Sequence, residues 1–327
     1  MVDSIRLSFG CLFSDRVEAL IDGRVGIEGF VLDATLRQSQ PLFREILRSQ
    51  PYDLAEMSLG SHIAAVGAAL DAGELSHYVA LPVFLSRSFR HSNIYIRNDR
   101  GIEGPADLAG KRVGVIDFQQ TAVAWVRGML ADDYGVARES IQWVAGGLQE
   151  PVLEARMAMV PKPGLSITRS DSTLDALLQA GMLDAVISPS APQCFVKGDP
   201  SIVRLFRDYQ ADERRFHQRT GFFPLMHGLV LRRDLVRRHP ALPARLYQAF
   251  DRAKELALAD LDTRDYPKVS IPWLAAFRHQ ALAAFGGELW HYGTEPNRRE
   301  IEALLRYAEA DGLTTGRLSI DDVFIPL

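Results

Sequence analysis

Cysteine is scarce: the two residues, Cys11 and Cys194, lie far apart and form no CxxC pair. A disulfide scaffold and a cysteine-rich zinc site are excluded. No apolar run approaches the roughly 18 to 20 residues that a membrane helix needs. Positive charge is not in excess either, since 37 Lys and Arg stand against 41 Asp and Glu, a formal net of −4. Without a basic surplus, nucleic acid is not the expected partner. The signatures GxGxxG, HExxH and GxSxG do not occur. Gly104 and Gly110-Lys111-Arg112 approximate a phosphate loop, but the spacing is one residue too long and Arg replaces Ser or Thr. The eight histidines are scattered, with no pair at metal-ligand spacing, so no metal is expected. The opening residues carry no basic stretch followed by an apolar core, so a secretory signal is not read and a cytoplasmic location is expected.

What is present describes a folded α/β protein. The 327 residues are 47% apolar and 24% charged, enough apolar material for a large core and two domains. Strands are expected at 5–9, 29–36, 53–58 and 79–85, with helices at 12–21, 41–48 and 61–70 between them. A second α/β unit follows, with strands at 93–97, 112–117, 141–144, 184–188 and 202–206. Its helices, at 121–134 and 173–180, are closed by Gly135 and Gly181. The Pro-, Gly- and Ser-rich stretch 159–172 reads as a loop. After a strand at 228–232 the pattern turns helical over 241–260, 271–285 and 297–310. This β-α-β order predicts mostly parallel sheets flanked by helices.

Two alike segments, Asn93-Ile-Tyr-Ile-Arg-Asn-Asp99 and Gly228-Leu-Val-Leu-Arg-Arg-Asp234, bracket the middle. That is the layout of a two-lobed binding fold. Residues 1–92 with 226–327 are expected to form one lobe and 93–225 the other, with the ligand in the cleft at the carboxyl ends of the strands.

Several residues gather at those strand ends. Arg87 and Arg90, with His91, follow an apolar strand, and arginine grips carboxylates in two-pronged fashion. Thr121 opens a helix and offers a hydroxyl and free N–H groups to an anion; Trp125, one turn on, is placed to stack on a flat ring. Glu56 and Ser58 end a strand, with His62 in the next helix, and His227 stands at the return crossover. Cationic clamps, a helix start, an aromatic wall and imidazoles describe a pocket for an aromatic or short dicarboxylate.

The chain resembles the 4,5-dihydroxyphthalate decarboxylase family, of the periplasmic-binding-protein-like type II fold. The strings Ser86-Arg-Ser-Phe-Arg-His91 and Phe223-Pro-Leu-Met-His227 carry the likeness most specifically. Glu56-Met-Ser58, Pro82-Val-Phe84, Thr121-Ala122, Trp125-Val-Arg-Gly128, Arg204-Leu-Phe206, Thr220-Gly221 and Tyr292-Gly293 extend it. Pro105-Ala-Asp-Leu108 with Gly110-Lys-Arg-Val-Gly114 marks the fold only. Phe118 stands where the family is expected to carry tyrosine, which bears on ring substitution.

The resemblance implies conversion of 4,5-dihydroxyphthalate to protocatechuate and carbon dioxide, without a cofactor. In that reading Arg87 and Arg90 clamp carboxylates, and Thr121 binds a carboxylate or phenolate oxygen. His91 and His227 form the acid/base pair, and Glu56 orients an arginine or donates the proton. Trp125 stacks on the ring, and Ser58, His62 and Phe118 complete the pocket. The expected partner is a small aromatic dicarboxylate, with no nucleic acid and no membrane, and homo-oligomerisation left open. The rival reading is a solute-binding protein of a transporter. A cytoplasmic effector module is disfavoured by the lack of a DNA-binding extension.

Overall fold

The protein is described by a computed structural model that covers residues 4–152, 154–157, 162–263, 265 and 267–327. Its elements alternate through the first part of the chain: β1 (Ile5–Cys11), α1 (Asp15–Ile21), β2 (Phe30–Leu36), α2 (Ser39–Ser49), β3 (Leu54–Ser58), α3 (Leu59–Asp71) and β4 (Tyr78–Arg87). The middle comprises β5 (Ile94–Arg97), β6 (Arg112–Val115), α4 (Thr121–Tyr134), β7 (Gln142–Ala145), β8 (Ile167–Arg169) and α5 (Leu174–Gln179). It continues through β9 (Ala185–Ile187), α6 (Gln193–Val196), β10 (Ile202–Arg204) and α7 (Tyr209–Thr220). The chain then returns as β11 (Leu225–Arg232) and ends in helices α8 (Arg233–Arg238), α9 (Leu242–Asp260), α10 (Leu274–Ala284), α11 (Arg298–Ala310) and α12 (Ile320–Val323).

The strands form two sheets, ordered β2-β1-β3-β11-β4 and β10-β5-β9-β6-β7-β8. β11 runs antiparallel between β3 and β4, while β1 pairs in parallel with β2 and β3. In the second sheet β9, β6, β7 and β8 are mutually parallel, with β5 antiparallel to β9 and β10. β3 is buried along its whole length, as a central strand covered on both faces must be.

Two sequence expectations change. The 159–172 stretch contains a strand, β8, which pairs with β7 and so finds partners for its backbone; residues 159–161 lie outside the described part. Helices α6, α7, α8 and α12 are not among those expected from the sequence. α7 buries only Phe216, so it shows no apolar stripe for periodicity to detect.

One apolar cluster runs through both sheets, from Leu7 and Phe9 to Val113 and Trp143. The middle of the chain is fastened to its end. Arg127 on α4 meets Asp311 beyond α11 at 2.5 Å, both side chains fully buried, and Arg138 reaches the other oxygen of Asp311 at 2.7 Å. A Cβ on Gly128 would stand 2.4 Å from the Tyr307 ring, so α4 and α11 pack at a distance only glycine allows. Among the described residues no helix is long and apolar enough to cross a membrane.

Candidate active site

The pairing of β3 with β11 sets Ser58 opposite His227, and the pleat puts Glu56 on the same face. His227 Nδ1 lies 2.8 Å from Glu56 Oε1, and the Leu12 N–H donates to Oε2 at 3.1 Å. A buried carboxylate is costly unless its oxygens are occupied, and here each has a donor. The carboxylate assigns the imidazole proton to Nδ1 and leaves Nε2 as the free nitrogen. Phe43 holds the ring edge-on at 4.8 Å. The register of β11 against β4 slips on both sides of His227, a local irregularity of the kind that re-aims a side chain.

His227 opens onto a cavity of about 110 Å³ at the carboxyl ends of β3, β6 and β9. The starts of α3 and α4 meet there. Thr121 Oγ1 lies 2.8 Å from Ser58 Oγ and accepts the Gly60 N–H at 2.9 Å. A Cβ on Gly60 would stand 2.7 Å from the Gln119 carbonyl oxygen, so this approach requires glycine. Two helix starts at one point, with the first N–H groups of α4 unused by the helix, favour a negative ligand.

Two guanidiniums line the same cavity. Arg90 donates Nη1 to Asn93 Oδ1 at 3.0 Å and sets Nε 3.2 Å from Met226 Sδ. Arg156 donates Nη2 to Gln40 Oε1 at 2.7 Å and Nη1 to Ser61 Oγ at 3.2 Å. Among the described residues neither forms an ion pair with a carboxylate. Burial brings Arg90 down to about 10 and lowers Arg156 in the same direction, yet both remain cationic at neutral pH. The cavity lining carries two cations and no carboxylate among the described residues, and Glu56, behind His227, is already engaged.

The structure therefore brings Glu56, Ser58, Arg90, Thr121 and His227 together. It places the other five expected residues away from this cavity. Arg87, expected as a clamp, instead pairs its guanidinium with Glu300 at 3.1 Å and donates to the Phe223 and His291 carbonyls, lining a different cavity. His91, expected as the partner acid or base, has its ring buried against Phe206 and Phe216, away from His227, and burial draws it down to about 4. Trp125 is core: its Nε1–H donates to the Leu225 carbonyl at 2.8 Å, and its ring meets Phe222 and Tyr307 edge-on. Phe118 packs under the Arg127 guanidinium and against Trp143. His62 is buried beside Val323, with its Nε2 3.3 Å from that carbonyl oxygen, and lines a cavity on another side.

Sequence reasoning missed Arg156, Gln40, Phe43 and Met226. Arg156 was open to discovery, since it follows a parallel strand on its carboxyl side, where open α/β sheets collect ligands. Gln40 and Phe43 lie on α2, an amphipathic helix whose apolar face looks like ordinary core in the sequence. Among the described residues no three His, Cys, Asp or Glu side chains stand close enough to hold a metal ion.

No protein-family model matches the chain. A 4,5-dihydroxyphthalate decarboxylase of Comamonas testosteroni is 37% identical over 327 residues, 99% of this chain and 98% of that one. A 4,5-dihydroxyphthalate decarboxylase of Pseudomonas putida is 42% identical over 197 residues, 60% of this chain and 74% of that one. Among solved structures, the periplasmic sulfonate-binding protein SsuA of Methylobacillus flagellatus superposes with a TM-score of 0.56 at 13% identity, over 100% of this chain and 93% of that one. At that identity the likeness establishes the fold, the type II periplasmic-binding-protein architecture, and nothing about ligand. The near full-length match in sequence goes further: the chain belongs to the 4,5-dihydroxyphthalate decarboxylase family.

Proposed function

We propose that the protein is a carboxy-lyase that converts 4,5-dihydroxyphthalate to protocatechuate and carbon dioxide. The observation that supports this most directly is the imidazole of His227, fixed by buried Glu56 and facing a cavity that holds two guanidiniums without carboxylate partners. The relatives named above carry this activity in their names, and the cavity suits its chemistry. One ring hydroxyl lies para to a carboxylate. Its ionisation pushes electron density onto the carboxylate-bearing carbon, so the ring itself supplies the drive and no cofactor is called for.

Each residue then has a task. The ionised oxygen rests at the start of α4, where N–H groups and the helix dipole hold negative charge. Arg90 fixes a carboxylate. His227, held by Glu56 at Nδ1, takes up the hydroxyl's proton at Nε2 and passes it from there to the ring carbon; the C–C bond to the carboxylate breaks, its electron pair restores the aromatic ring as a phenolate, carbon dioxide leaves, and the phenolate takes a proton from water.

Incubation with 4,5-dihydroxyphthalate tests the reading, with carbon dioxide and protocatechuate measured together. Turnover is expected in the wild type. His227→Ala should lower kcat by about 100-fold or more while substrate still binds. Tight binding without carbon dioxide release would mark the protein as a carboxylate receptor instead.

A further inference from the structure

We infer that Arg156 makes this site select a vicinal dicarboxylate over a monocarboxylate, and that losing one carboxylate in the reaction is what loosens the product. The second clause rests on the decarboxylase reading; the first does not.

Arg156 is 5% exposed, buried deeply enough that its charge is expensive without a counter-ion. Its acidic neighbour is occupied elsewhere. Asp117 Oδ2 takes the backbone N–H of Arg156 at 3.0 Å, and Oδ1 takes the Gln119 N–H at 3.0 Å. That contact holds the main chain and leaves the guanidinium to neutral acceptors, Gln40 Oε1 and Ser61 Oγ. The buried Nε has no partner among the described residues. Phe43 lies beneath the guanidinium at 5.3 Å and also touches His227, so the cation is held beside the imidazole.

Arg90 reaches the same cavity from the turn after β4 and forms no ion pair among the described residues; its acidic neighbour Glu213 acts on it only from beyond contact distance and takes the Ser92 N–H at 3.4 Å. Arg156 is buried and Arg90 half-buried, and two cations so placed are best balanced by two anions. A ligand with a single carboxylate neutralises one and leaves the other uncompensated, and this penalty discriminates against monocarboxylates. Carboxylates on adjacent ring carbons satisfy both from one compact ligand. When the C–C bond breaks, the carboxylate becomes neutral carbon dioxide and the ring carbon takes a proton. The remaining product carries one carboxylate, and one guanidinium again lacks an anion.

Phthalate, terephthalate and benzoate, which lack the hydroxyls needed for reaction, are suitable probes for calorimetry. The wild type should bind phthalate at least ~30-fold tighter than benzoate or terephthalate. Arg156→Gln retains polar contact with Gln40 and Ser61; it should bring the phthalate-to-benzoate ratio within about threefold, by losing phthalate affinity. Arg156→Lys should restore part of the ratio. Equal wild-type affinities for the three acids overturn the inference with no variant needed. So does an Arg156→Gln protein that weakens phthalate and benzoate alike, or neither. A selective wild type that loses selectivity in Arg156→Gln yet releases no carbon dioxide from 4,5-dihydroxyphthalate upholds this inference and removes the decarboxylase reading. Turnover with an unchanged ratio does the reverse.

Discussion

The histidines are sorted by what surrounds each ring. His227 has a carboxylate on one nitrogen and a cavity on the other, whereas His91 sits among phenylalanines with a buried Nδ1 that has no partner among the described residues. Burial draws both His91 and His62 from 6.5 down to about 4. The unfolded chain therefore takes up these protons near pH 6.5, and the native state only near pH 4. Between those values the unfolded state binds more protons, so stability falls as pH falls, by up to about 1.4 kcal/mol per pH unit for each ring. His91→Phe should flatten this acid limb in urea unfolding from pH 7 to 4 and keep turnover within about threefold, because the ring fills an apolar slot. Loss of turnover in a folded His91→Phe protein would return His91 to the site. The sequence placed Arg87, Arg90 and His91 at the right strand end but not on the right sides of it. Arg87 still belongs to β4 and Arg90 does not, and a change of one residue in where a strand ends redirects the side chains that follow.

At the scale of elements, the site depends on two helix starts brought into contact. The small residues of α3 were readable as a helix, and Thr121 as the start of another, but their meeting depends on tertiary packing across 61 residues of chain. Gly60 is the spacer. Gly60→Ala would drive a methyl group into the Gln119 carbonyl and push Thr121 away from Ser58. An overpacking cost of about 1–3 kcal/mol is expected in urea unfolding. Phthalate affinity should fall further than that of any Ala substitution on the exposed face of α3, while the Glu56–His227 contact survives. Unchanged affinity would show that the α4 start does not face the ligand. α7 marks the opposite limit of sequence reading: its polar composition hides a helix whose one buried side chain, Phe216, packs on His91.

Across the whole molecule, the first sheet draws on strands from both ends of the middle segment, and α4 ties the second sheet to the C-terminal helices. Asp311 is the knot, serving Arg127 and Arg138 together. Asp311→Asn should cost about 3–5 kcal/mol, because it leaves a buried guanidinium without its counter-charge. Variants that keep a single tryptophan, either Trp143 in the second sheet or Trp290, whose Nε1–H donates to the Phe84 carbonyl of the first, give separate fluorescence probes. Coincident transitions for both, shifted together by Asp311→Asn, are expected; earlier loss of the Trp143 signal would mean that the sheets unfold independently. The two-sheet layout followed from alternating patterns in the sequence. Which sheet α4 leans on did not, because a helix buried on nearly every face carries little directional signal.

The placement of β11 has a consequence for synthesis. It is made last of the five strands in its sheet yet lies between β3 and β4, and the Glu56–His227 contact joins residues 171 positions apart. A nascent chain that has not passed residue 232 leaves the ribosome with β3 and β4 lacking their shared neighbour and Glu56 lacking its imidazole. The first strands must wait, exposed, for a segment translated more than a hundred codons later, and no product that ends before residue 227 can form the Glu56–His227 contact.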